Sequence, residues 1–365
     1  MTNQVTETLL SLLRAGIGTE KPVEGPPTGT DWKKVYRLAF KQAVPAIALD
    51  GYSKMLEEGL IDASNDMPQP VKMKWIGMTI TSFEQHYAKY SGTIGRLAGF
   101  YASQGIKMML LKGYGLSLDY PVPQHRPCGD IDIWLYDKYK DADAALTREK
   151  GIKIDNEHHH HTVFTFEGEL VENHYDFINI HSHPSNKLIE RKLREYAFSG
   201  ETPVEVDGNV VFLPSANFNA LFLLRHAASH FAAAEMNLRQ LLDWGLYMEN
   251  HYDEVDWESL HPFIKEMNMH RFLYAINGIC VDKLGLSPEC FLPERVSSEL
   301  QDRVLADIIN PGFDGPMPKN IIKRVIWKYR RWRANSWKHR MVYREGLLRT
   351  FFVQLHSHLM KPSSI

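Results

Sequence analysis

Through the first 105 residues apolar side chains recur at intervals of three and four, in TETLLSLLRAG, DWKKVYRLAFKQAVPAIALDGYSKML and WIGMTITSFEQHYAKYSGTIGRLAGFYASQG. That spacing lays an apolar stripe along one face of a helix, and Gly105 stands where the last helix stops. From Ile106 the rhythm shortens to runs of strand length broken by turns: IKMMLLKG, DIDIWLY, HHTVFTFEGELVENHYDFINIH and ETPVEVDGNVVFLPS. A helical KYKDADAALTREKG lies between the second and third. This order predicts a mixed sheet with helices on one face. From Ala216 the helical period returns, in NFNALFLLRHAASHF, LRQLLDWGLYMEN, WESLHPFIKEMN, HRFLYAINGICVDKLG and a basic, aromatic tail. The pattern therefore predicts an α+β chain of three regions: helical over 1–105, sheet-bearing over 106–215 and helical again over 216–365.

Candidate chemistry concentrates in the middle region. In DIDIWL, period-two alternation turns Ile131, Ile133 and Leu135 to a core and Asp130 and Asp132 to the other face. Two carboxylates held that close repel, and a divalent cation between oxygen ligands relieves the repulsion. The later strand ELVENHYDF offers a third acid, with Glu172, His174 and Asp176 on one face. Glu172 and Asp176 cannot both serve one metal, since four residues of strand separate them by ~13 Å. Three carboxylates around one cleft suit one or two Mg²⁺ ions bridging the phosphates of a nucleotide. Upstream, the Lys112-Gly113 turn lets backbone approach a phosphate closely, and Lys112 adds a point charge.

Composition narrows the setting without choosing the chemistry. A formal charge of −2 over 365 residues gives no global pull towards nucleic acid or membrane. The three cysteines are widely spaced and form no CxxC pair, which speaks against a disulfide scaffold or thiolate zinc site. With no signal-peptide pattern and no run near the ~20 apolar residues of a membrane span, the expectation is a cytoplasmic protein.

The succession LLKGYGLSLDYPVPQHRPCGDIDIWL, HHHHTVFTF, LVENHYDF and LRQLLDWGLYM resembles the bacterial uncharacterised nucleotidyltransferase family, within the nucleotidyltransferase superfamily of the DNA polymerase beta type. The resemblance runs from about Met108 to Met248. It implies a polymerase-beta-like mixed sheet between two helical regions. It also implies Mg²⁺- or Mn²⁺-dependent transfer of a nucleoside monophosphate from an NTP, such as ATP, to an unknown acceptor with release of pyrophosphate. On the matching positions, Gly113 is the glycine of the superfamily turn, Asp130 and Asp132 are metal-binding acids, and Glu172 is the third acid and activator of the attacking hydroxyl. Two departures stand out: Tyr114 follows Gly113 where Ser or Gly is usual, and sixteen residues separate Gly113 from Asp130. Lys112 and Arg126 are the residues expected to supply the missing phosphate contacts. A nucleotide-binding module without catalysis and a kinase-like phosphotransferase are the competing readings, separated by whether pyrophosphate, ADP or neither is released.

Each signal has a simpler explanation beside it. A D-x-D at a strand edge can be a solvated turn, and Arg126 can pin its own loop by pairing with Asp119 or another nearby acid. The run His158 to His161 leads directly into TVFTF, so exposed polar side chains at a strand's start are as good an account as a phosphate or base contact, with one functional histidine at most. His174 stands beside Glu172 as an orienter, a phosphate contact or packing. Arg239 and Asp243 can be an intrahelical pair, although the resemblance places their helix along the nucleotide or acceptor cleft. His226 and His230 have zinc spacing, but HAASH lacks a glutamate base and a third ligand. The tail KNIIKRVIWKYRRWRANSWKHRMVYREGLLRTFF has the composition of a surface for an anionic partner, and equally of a helix packed by its aromatic face with its basic face solvated.

Overall fold

The computed structural model describes residues 4–19, 23–312, 318 and 320–347. The N-terminal helices are α1 (Gln4–Ile17), α2 (Trp32–Lys41), α3 (Pro45–Glu57), α4 (Gln69–Thr79) and, after a π-helical turn over Ile80–Glu84, α5 (Gln85–Ser103). Asp31 caps α2 by accepting the Lys34 amide. Helices α1 and α3 cross so closely that a Cβ on Gly51 would run into the Leu12 carbonyl, which explains a glycine inside a helix.

The sheet has six strands: β1 (Met109–Leu110), β2 (Ile131–Trp134), β3 (His161–Phe166), β4 (Glu169–His174), β5 (Thr202–Val206) and β6 (Asn209–Leu213). Their spatial order is β3-β4-β2-β1-β6-β5. The β2/β4 and β1/β6 pairs are parallel and the others antiparallel. Both hairpins turn through two residues with positive φ, Glu167-Gly168 and Asp207-Gly208, the geometry that matches strand twist. Between and after the strands come α6 (Tyr114–Ser117), α7 (Tyr139–Lys150), α8 (Asn186–Ala197), α9 (Ala216–Ala233) and α10 (Leu238–His251). The chain continues through α11 (Trp257–Glu266), α12 (His270–Asp282), α13 (Ser298–Ile309) and α14 (Ile321–Val342).

Strand alternation sorts the sheet into two faces. Ile131, Ile133 and Leu135 enter one core with Ile94, Leu97, Ala98 and Tyr101 of α5 and Leu146 of α7. Those four α5 residues follow the i, i+3, i+4, i+7 rule, so the last helix of the 1–105 segment packs on the sheet. Trp134 points to the opposite face, into a larger core shared by helices from both ends of the chain, Leu9 and Leu12 of α1 with Leu273 and Ile276 of α12. Polar contacts tie the same ends together: Arg14 donates to the Lys283 carbonyl at 2.9 Å, and Gln42 donates to the Ile309 carbonyl at 3.0 Å. The two helical regions thus meet on one side of the sheet, and α5 with α7 covers the other, so helices lie on both faces and not on one as the pattern predicted. Among the described residues no helix is long and apolar enough to cross a membrane.

The aromatic residues of the tail divide between packing and exposure. On α14, Trp337 packs edge-on against Phe231 of α9, and Lys338 pairs with Asp307 of α13. Tyr329 and Trp332 remain exposed. The end of the basic tail, residues 348–352, lies outside the described residues.

Candidate active site

The parallel pairing of β2 with β4 sets Asp132 directly opposite Glu172 and Trp134 opposite His174. Because side chains two apart share a face, His174 also reaches the acids. Its Nε2 donates to Asp132 Oδ1 at 3.0 Å and lies 3.6 Å from Glu172 Oε2, while its Nδ1 donates to the Asp176 carbonyl at 3.2 Å. On the other side, antiparallel pairing of β1 with β2 brings Lys112 to Asp132, with Nζ 2.9 Å from Oδ1. Asp130 sits half-buried just before β2, its carbonyl accepting the Tyr90 hydroxyl at 3.0 Å.

The electrostatics of these groups are strongly skewed. Burial raises the Asp130 carboxyl, and the neighbouring Asp132 charge raises it further. Burial opposes the charge on Asp132 too, but the Lys112 ammonium and the His174 imidazolium outweigh it and hold that carboxyl far below its ordinary range. Burial would strip the proton from His174, yet its bonds to Asp132 and Glu172 lift it to about 9. Glu172 ends below its ordinary value because His174 overcomes its burial. Two nearby acids with pKa values pushed apart, compensated by two cations, mark a site built around charge.

Of the two candidate third acids, the structure brings Glu172 to Asp132. Asp176 lies beyond the end of β4 and pairs with Arg194 of α8 at 3.2 Å. Among the described residues, Asp132, Glu172 and His174 form one group of potential ligands within 4.8 Å of one another, and His160, His161 and His174 form a second. The two carboxylates of the first group suit a hard divalent cation, whereas His174, held protonated beside them, offers it no lone pair. His160 and His161 of the run line this wall. Burial drives His160 down to about 2 and His161 to about 4, so both rings are neutral near pH 7.

Gly113 has φ of 58°, and a Cβ there would collide with the Tyr90 hydroxyl, so the turn requires glycine whatever it binds. Arg126, expected on the triphosphate, is 3% exposed and already engaged. Its Nε and Nη2 donate to the two carboxylate oxygens of Asp243 at 2.7 and 3.0 Å, and its Nη1 donates to the Gly113 carbonyl at 3.0 Å. Tyr120 donates to Asp243 at 2.7 Å, and Arg239 closes an i, i+4 contact with the same carboxylate at 3.2 Å. The partner foreseen for Arg126, Asp119, instead accepts from His251 at 3.0 Å. Arg126 therefore ties α10 to the glycine turn, and its fork is used within the protein.

Two cavities flank the acids. A smaller one of 400 Å³ runs along Gly113, Asp130, Asp132 and the Arg239 side of α10. A larger one of 660 Å³ is lined by Glu172, His160, His161 and His174 and extends to α9 and Tyr343. Lys112, Asp130, His226 and His230 belong to both walls. Among the described residues His226 and His230 have no third ligand, and their rings pack edge to face at 4.4 Å. Sequence reasoning missed Arg225 and Tyr343 of the larger cavity. For Arg225 a signal exists: it continues the stripe Phe218, Leu221, Phe222, where i+7 should be apolar.

Residues 28–285 match the family described as uncharacterised nucleotidyltransferase. No curated protein matches the chain significantly. One similar solved structure is that of an antigenic nucleotidyltransferase-like protein from Paracoccidioides brasiliensis, at 15% identity and a TM-score of 0.31, covering 48% of this chain and 88% of that one. With most of its length matched, from α2 through α12, the chain belongs to the uncharacterised nucleotidyltransferase family.

Proposed function

We propose that this protein transfers a nucleoside monophosphate from an NTP to an acceptor hydroxyl, releasing pyrophosphate. The observation that carries the reading is the β2/β4 register, which sets Asp132 beside Glu172 with Asp130 at the mouth of the same strand. Asp130, Asp132 and Glu172 would hold Mg²⁺ or Mn²⁺. A divalent cation bound there neutralises charge on the phosphates and stabilises the charge that develops in the transfer. The chain's own groups do the rest. The Gly113 turn and Lys112 receive the phosphates in the smaller cavity, and the Arg126–Asp243 clamp keeps that turn in place. Glu172, on the larger cavity, takes the proton of the acceptor hydroxyl. The acceptor oxygen bonds to the α-phosphorus as the bond from that phosphorus to the bridging oxygen breaks, and pyrophosphate leaves.

A second reading has its own support. Lys112 and His174 already satisfy Asp132 through direct contacts, as they would in a nucleotide-binding module without turnover. The deciding experiment incubates the protein with lysate and each α-labelled NTP, follows pyrophosphate, and searches for a labelled adduct by mass spectrometry. Pyrophosphate with an adduct supports transfer. ADP would indicate a phosphotransferase, and NTP binding with no product would indicate the binding module.

A further inference from the structure

Arg225 of α9 is 2% exposed, and its charge has no counterion in hydrogen-bonding contact among the described residues. Its Nη2 donates to the neutral amide oxygen of Asn186 at 2.8 Å, while Nε and Nη1 are buried without a hydrogen-bond partner. The guanidinium lies against the ring of Tyr343, 4.7 Å from its centroid, and Tyr343 in turn stacks on His183 at 3.6 Å. A ring face softens the desolvation of a cation but does not replace an anion. Leaving a buried charge unpaired is among the costlier states a fold can hold, and the usual remedies are a carboxylate, a shifted pKa or a ligand. A guanidinium cannot readily give up its proton, and among the described residues no carboxylate hydrogen-bonds to it.

The placement of Arg225 indicates what the ligand is. It lines the 660 Å³ cavity that also contains Glu172, whereas Gly113 lines only the smaller cavity. That volume is the size of a small-molecule site, not of a groove for a folded partner. We infer that the larger cavity receives the acceptor and that Arg225 anchors a negative group on it, a phosphate monoester or a carboxylate, making the acceptor a small anionic molecule. The identification as acceptor rests on the nucleotidyl-transfer reading, while the anion site stands on the unpaired guanidinium. The guanidinium presents its N–H groups in a fixed plane, and an oxyanion that meets one of the free ones there is held at an angle that a single ammonium does not reproduce.

The test uses the full protein without metal or NTP, and two probes, ribose 5-phosphate and succinate. One of them should raise the melting temperature saturably, and which one does so identifies the anion as phosphate or carboxylate. Arg225→Gln should fold at least as stably as the wild type without probe, because it removes an uncompensated buried charge, and should weaken probe binding at least about tenfold. Arg225→Lys should weaken it as well, and Arg239→Ala, on the smaller cavity, should leave it intact. The inference is overturned if neither probe stabilises the wild type, if Arg225→Lys or Arg225→Gln responds as the wild type does, or if only Arg239→Ala abolishes the response. An anion response that survives while every NTP fails to release pyrophosphate would sink the transfer reading and spare the anion site.

Discussion

Arg126 and Asp132 are both almost fully buried, at 3% and 4% exposure, yet the charges around them are balanced in different ways. Around Arg126 the account closes inside the protein: Asp243 takes its fork, Tyr120 and Arg239 take what remains of Asp243, and the Gly113 and Pro127 carbonyls accept from Nη1. Around Asp132, which Lys112 and His174 contact directly, the neighbouring acids stay open. Asp130 is held half-buried with its carboxyl pushed up, Glu172 stands one strand away, and two cavities meet at Lys112 and Asp130. A closed set of buried charges fixes geometry. An open set leaves room for a ligand, and the two lie close enough for the first to hold the second in position.

This contrast is broken or sharpened by mutation. Asp132→Asn should take nucleotidyl transfer below detection, because it removes the carboxylate on which Lys112 and His174 converge. Turnover near the wild-type rate would return D-x-D to a structural role. Arg126→Ala should destabilise by ~3–5 kcal/mol, since Asp243 would be left buried without its main partner. Denaturant unfolding checks this, and a loss under ~1 kcal/mol would show that the clamp is not closed as described. Glu172→Gln should stop turnover while Asp176→Asn, whose native partner is Arg194, leaves most of it; reversed results would mean that the β4 register is wrong.

Smaller effects probe the edges of the two sets. Gly113→Ala adds both a strained φ and a clash with the Tyr90 hydroxyl, for a cost of ~1–3 kcal/mol in melting experiments. Adding Tyr90→Phe should recover part of it, and no recovery would mean that the φ strain alone requires glycine. The smallest effect concerns His125, which donates to Asp50 at 2.7 Å and to Glu84 at 3.1 Å. Burial would lower its pKa, but the bonds to the two acids outweigh this and raise it. A raised histidine pKa stabilises fully below the unfolded value near ~6.5, and that stability fades as pH rises through the folded value. His125→Gln should therefore lower the melting temperature at pH 6 and match the wild type more closely at pH 9. A gap that widens with pH would contradict this sign.

What could be read in the sequence was local. Alternation in DIDIWL separated Ile131, Ile133 and Leu135 from Asp132, and the two turns EG and DG each joined a hairpin because both need residues that tolerate positive φ. Glu172 was distinguished from Asp176 by the resemblance, and the parallel register that places it beside Asp132 spans 40 residues of intervening chain. The Arg126–Asp243 clamp joins residues 117 apart, and the nearer spacing of Arg239 to Asp243 concealed it. The periodicity of α5 showed an apolar face but not which surface it would meet, and that surface was the sheet. Arg225 gave a signal of another kind, a charge in the middle of an apolar stripe.

The central claim is that the open acids form a metal-dependent nucleotide site, and titration calorimetry of an NTP with and without Mg²⁺ tests it most directly. The wild type should bind the NTP more tightly with Mg²⁺. Asp130→Asn should lose that gain while melting no lower than the wild type, because burial and the Asp132 charge already disfavour its carboxylate. A variant that melts markedly lower yet keeps the full Mg²⁺ dependence would contradict the account.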